Sequence, residues 1–113
     1  AYQTLLGGDE RLQLIPHRTG SACLTQVVRV PPRGRGRDSA SDVVRALREA
    51  GYEIQGSYVP IHLLDSLRGC VWDRVPNADR VWADLIELPC EPSVDLGDVQ
   101  RIAAIVRKVV AAQ

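Results

Sequence analysis

Methionine and phenylalanine are absent from this sequence of 113 residues, and lysine occurs once, at Lys108. Net charge is missing too: fourteen acidic residues balance fourteen basic ones. No global field therefore draws the chain to nucleic acid or to an anionic membrane surface. No apolar run approaches the roughly 20 residues of a membrane span, and no secretory signal opens the sequence. Cys23, Cys70 and Cys90 are odd in number and far apart, with no Cys-x-x-Cys. This excludes a zinc knuckle or a redox pair and leads us to expect three reduced, partly buried thiols in a cytoplasmic protein. There is no Ser-His-Asp order with elbow glycines and no phosphate-binding fingerprint. Nor is any His/Asp/Glu group set at metal-ligand spacing. The start at Ala1, without methionine, fits either removal of an initiator or excision from a longer polypeptide. No internal repeat is visible.

What is there fits one domain spanning residues 1–113. Apolar content of 45% and charged content of 25% are ordinary for a globular chain, and the length supports one modest core. Tyr2, Leu5 and Leu6 before Gly7-Gly8 read as the last turn of a helix stopped at glycine. Such a stub suggests a connection that continues upstream. Leu12–Ile15, closed by Pro16, is expected to form an edge strand. The β-branched stretch from Ala22 to Val30, bounded by Gly20 and Pro31, is the strongest strand in the chain. Pro31–Arg37 is too rich in proline and glycine for a helix or ladder, so it is a loop. Its three arginines could contact nucleic acid, but they lack interleaved aromatics for stacking and read better as a solvated connection.

Ser39 or Asp38 then caps a helix, with Asp42 in an approximate capping box and Val43, Val44, Leu47 and Ala50 on its inner face. Gly51 ends it. Tyr52–Val59 alternates as a strand interrupted at Gly56, where a bulge or close backbone approach is expected. Leu63–Leu67 gives one or two helical turns, stopped at Gly69. Asn77–Glu87 reads as a full helix with Val81, Trp82, Leu85 and Ile86 inward. Leu88 before Pro89 must be extended. Asp95 caps a last helix whose apolar stripe is Val99, Ile102, Ala103, Val106, Val109 and Val110. The expected class is α+β: a small antiparallel sheet of three to four strands with helices packed mainly on one face.

Only two histidines are available for chemistry. His62 leaves a strand in the pattern Tyr58-Val59-Pro60-Ile61-His62, where side chains often face a cleft. By residue type alone, such a histidine is more often a structural hydrogen-bonder than a catalyst. His17 sits in a polar turn and reads as structural. Tyr58, His62 and Asp65 could converge on a ligand. Trp82 falls in register with Leu85 and reads as core, while Trp72 fits either core or an interface.

The order of these features carries more than any one of them. Arg37-Asp38 opens the first full helix; Gly51 is followed by the Tyr58–His62 turn; Leu88-Pro89 and Pro92-Ser93 precede the terminal helix. Over nearly its whole length the chain resembles the C-terminal end of the DegT/StrS family, pyridoxal-phosphate-dependent aminotransferases that make amino sugars. The resemblance implies a fold-type-I enzyme whose large N-terminal domain, absent from this sequence, holds the cofactor lysine, the phosphate site and most of a homodimer interface. The small domain closes over the cleft. Its substrate would be a keto-sugar nucleotide or a cyclitol ketone, with glutamate or glutamine as amino donor. Carried over residue by residue, only Tyr58 and His62 would line the substrate side. Family members place another His or Tyr before this tyrosine, where Gly56-Ser57 stands here, which puts substrate identity in doubt.

Such an enzyme needs a lysine for the Schiff base and a carboxylate at the pyridinium nitrogen. Lys108 lies on the polar face of the terminal helix beside Arg107, as a solvated cation. The chain alone is therefore expected to bind no pyridoxal phosphate and to have no catalytic residue or metal. Its partner would be the large domain of the same enzyme, with no role for nucleic acid or membrane. An alternative of another class is a free-standing α+β ligand-binding or regulatory module that dimerises through a sheet edge. A third is an RNA-binding domain using Arg33–Arg37.

Overall fold

A computed structural model describes residues 1–32, 38–70 and 73–113, except the side chain of Gln55. The Arg33–Arg37 loop and Trp72 lie outside the described residues. Four helices and four strands follow in the order α1 (Tyr2–Leu6), β1 (Gln13–Leu14), β2 (Thr25–Arg29), α2 (Ser39–Glu49), β3 (Gln55–Gly56), α3 (Pro76–Ala83), β4 (Leu85–Pro89) and α4 (Leu96–Ala111). Two 3₁₀ turns, Ile61–Leu63 and Asp65–Cys70, lie between β3 and α3.

The strands form one antiparallel sheet in the order β1-β2-β4-β3. β2 and β4 make its centre, with Val28 opposite Ile86 and Gln26 opposite Leu88. Alternation decides which side is buried. Gln26, Val28, Val30, Ile86 and Leu88 point into the helical layer, whereas Thr25, Val27, Arg29, Leu85 and Glu87 stay partly exposed. Val43 and Leu47 of α2 and Val99, Ile102, Val106 and Val110 of α4 complete the core with Tyr2 and Leu6. Full burial of each such aliphatic side chain contributes about 1.5–3 kcal/mol. This is the expected α+β layering.

Of the buried polar side chains, Gln26 and Asp84 are paired, whereas Ser39 Oγ in the first turn of α2 has no partner among the described residues. Gln26 donates to the carbonyls of Ile15 and Val27 and accepts from Gln3, which ties α1 and β1 to β2. Asp84, buried just before β4, accepts from Arg29 Nε and Nη2 at 3.0 and 2.9 Å. Burial pushes the Tyr2 phenol up, and its hydroxyl donates to the Pro89 carbonyl.

The helix termini obey their local chemistry. Asp38 caps α2 by accepting from Ser41 N–H at 3.0 Å, and Gly51 turns the chain away at φ +91°. Asp42 does not complete a box there; it pairs with Arg45. Asp95 and Asp98 do form a reciprocal box on α4.

Several expectations are corrected. Helical structure expected over Asn77–Glu87 ends at Ala83, and after Asp84 the chain continues as the inner strand β4, Leu85–Pro89. Val81, Trp82, Leu85 and Ile86 do satisfy helical spacing, but Leu85–Pro89 also alternates with period two, and pairing with β2 decides for the strand. Strand structure expected over Tyr52–Val59 is confined to Gln55–Gly56, which pair with Glu87 and Ile86. A Cβ on Gly56 would meet nothing nearer than the Leu85 carbonyl at 3.9 Å, so no close approach requires glycine. Ala50 is exposed, and the turn expected to stop at Gly69 runs through Cys70.

Candidate functional site

β4 draws β3 onto the sheet for only two residues, after which the chain leaves as Ser57-Tyr58-Val59-Pro60. Proline fixes the exit: Pro60 is extended at ψ 141°, and its carbonyl accepts from Leu63 N–H at 2.9 Å to start the first 3₁₀ turn. Trp82 of α3 holds the start of this exit by donating from Nε1 to the Ser57 carbonyl at 3.1 Å. The indole is thus half-buried and pinned by its polar end, not part of the core as expected.

Tyr58 lies 80% exposed, and Ile61 71%. Val59, Leu63, Leu64 and Val75 are exposed apolar side chains as well; exposed apolar surface of this kind marks a contact site where it is contiguous. His62 is only partly exposed. Its Nε2 lies 2.6 Å from Asp79 Oδ1, so it fastens the first 3₁₀ turn to α3. Asp65 pairs instead with Arg68. Of the three side chains that could converge on a ligand, His62 and Asp65 thus pair with different partners, and Tyr58 stands exposed. His17 is exposed in its turn.

Glu87 is the group that sequence reasoning missed, because it was counted as a helix end. It stands in β4 on the side away from the helices, where Oε1 accepts from Ser57 Oγ at 3.1 Å and Oε2 from Thr25 Oγ1 at 3.3 Å. A depression of about 180 Å³ lies between Gly56, Ser57, Tyr58, Val59 and Glu87. Its signal in the sequence was the alternation Ile86-Glu87-Leu88. On the other side of β3, a groove of about 530 Å³ runs between Val44 and Arg48 of α2 and Trp82 and Leu85.

Nucleophiles and metal ligands are scarce. The three thiols are free, and burial pushes the Cys90 thiol up, which disfavours the reactive thiolate. No group of His, Cys, Asp or Glu able to hold a metal occurs among the described residues. No described helix is long and apolar enough to cross a membrane. Lys108 is exposed in the last turn of α4, and Arg107 beside it is exposed as well. The depression brings the aromatic ring of Tyr58 and the carboxylate of Glu87 to one place.

Solved structures share this fold. A protein assigned as a sugar aminotransferase from Streptococcus pneumoniae superposes with a TM-score of 0.81 at 21% identity, over 98% of this chain and 28% of that one. Its pyridoxal-phosphate form gives the same TM-score over 29% of its length. The aminotransferase TlmJ from Streptoalloteichus hindustanus gives 0.76 at 23% identity, over 98% of this chain and 29% of that one. The chain thus spans less than a third of the length of these proteins. No protein of curated function matches it significantly in sequence. The model of the DegT/DnrJ/EryC1/StrS aminotransferase family matches residues 1–107, nearly the whole chain, and the chain belongs to that family.

Proposed function

We propose that this chain is the C-terminal small domain of a pyridoxal-phosphate-dependent aminotransferase acting on a keto-sugar nucleotide or a cyclitol ketone. One observation carries this: 98% of the chain overlays 28% of a sugar aminotransferase, while its one lysine lies exposed on α4. Pyridoxal phosphate requires an amine and a carboxylate set against its ring. Lys108 lines neither cavity described above, so it offers no Schiff-base amine at either. The reactive amine belongs to a large domain carried on another stretch of polypeptide.

In that enzyme, Tyr58 and His62 line the substrate side of the cleft. Tyr58 does so directly from its exposed position, and His62 does so from a ring held by Asp79. The uncovered apolar run from Tyr58 to Leu64 supports a seat for the large domain, and the assembled enzyme is a homodimer. The amino donor is an amino acid such as glutamate or glutamine. The intact mass of the gene product in its source cell tests this reading. A product far heavier than 12.4 kDa, with a lysine-bearing segment upstream, is expected. A product of 12.4 kDa would overturn it, as would specific borohydride trapping of pyridoxal phosphate on Lys108 of the isolated chain.

A further inference from the structure

The Glu87 carboxylate sits at the middle of an inner strand, held between two hydroxyls that both donate to it. An ionised carboxylate has room for about four hydrogen bonds. Each oxygen uses one among the described residues, so each keeps acceptor capacity toward the depression it lines with Ser57 and Tyr58. None of the ion pairs among the described residues involves Glu87. Arg29, on the same side of β2, is engaged with Asp84 and Gln13. The hydroxyls of Ser57 and Thr25 have spent their protons on the carboxylate and present lone pairs to anything above them. Trp82 fixes the Ser57 backbone, so this acceptor set has a defined position. Beside it, the exposed Tyr58 supplies a flat apolar surface.

A site made of acceptors, one of them charged, complements a ring edged with hydrogen-bond donors. It opposes a phosphate, which brings negative charge and further acceptors, so discrimination comes from repulsion as well as attraction. We infer that the depression at Glu87 takes the hydroxyl- or amine-bearing ring of the substrate, and that Glu87 excludes phosphate from that position. The inference rests on the reading of Tyr58 as substrate-facing and narrows it: Glu87 is a specificity-determining residue of the same site.

The test uses the ¹⁵N-labelled 113-residue chain, titrated with myo-inositol, glucosamine and inorganic pyrophosphate while amide shifts are followed. Inositol and glucosamine should shift the amides of residues 56–59 and Glu87, glucosamine at the lower concentration. Pyrophosphate should leave them unmoved. In Glu87→Gln the glucosamine affinity should fall roughly tenfold, as expected for loss of a charge-assisted hydrogen bond. Glu87→Asp, which keeps the charge, should retain the preference and guards against a folding defect in the first variant. Absence of shifts with both rings, equal shifts with pyrophosphate, or unchanged glucosamine affinity in Glu87→Gln would each overturn the inference. These readouts belong to the chain itself. Ring binding by a gene product of 12.4 kDa would refute the parent-enzyme reading, and with it the ring's role as that enzyme's substrate, while failure of ring binding by a far heavier product would refute only the role of Glu87.

Discussion

Asp9 sits in the turn after α1 and accepts from Arg11 Nε at 2.7 Å and Nη2 at 2.6 Å. The guanidinium holds its carboxyl down at about 2, against an ordinary value of 3.8. A carboxylate whose folded pKa lies below its unfolded one stabilises the fold above the unfolded value and loses that contribution as pH falls toward the folded one. Urea midpoints should therefore drop between about pH 4 and pH 2, and Asp9→Asn should flatten that part of the profile. An unchanged slope in the variant would assign the acid sensitivity elsewhere. His62 and Asp79 show a different logic at the same scale. The sequence offers the histidine as a ligand, yet its partner comes from 17 positions later, a proximity that no local pattern encodes.

Helix ends were legible because capping is local. Asp95 with Asp98 and Asp38 before Ser39 each satisfy backbone N–H groups within a few residues. Asp95→Ala should cost about 0.5–2 kcal/mol, read from urea unfolding. Gly51→Ala should also destabilise, since φ +91° is strained for any residue bearing a Cβ. The boundary between α3 and β4 was not legible. Asn77–Glu87 carries a valid helical stripe, and only the cross-strand pairing of Leu85–Pro89 with β2 turns its second half extended. That switch also moves Glu87 from a solvated helix end to a sheet position against Ser57 and Thr25. One misread element concealed the group around which the candidate site is built.

Across the whole molecule, order is concentrated where β2 and β4 meet the α2–α4 layer. Both outer strands are two residues long, a poor template for edge-to-edge association. The segment from Tyr58 through Leu64 contributes no buried residue. Amide hydrogen exchange should follow this division, slowest in β2, β4 and the middle of α4 and fastest over residues 58–70. Protection of residues 58–70 equal to that of β4 would contradict the view that this surface lacks its covering partner.

The sequence by itself determined the α+β class, the strong strand β2, the start of α2 at Asp38 or Ser39, the cap and apolar stripe of α4 and the family, because each of these rests on local chemistry or on the order of short motifs. The tertiary structure decided the strand order β1-β2-β4-β3, the conversion of Leu85–Pro89 to an inner strand, the tie between His62 and Asp79 and the placement of Glu87 beside Tyr58. These depend on contacts between residues far apart in the chain, and such contacts are chosen by competition among partners for the same buried surface.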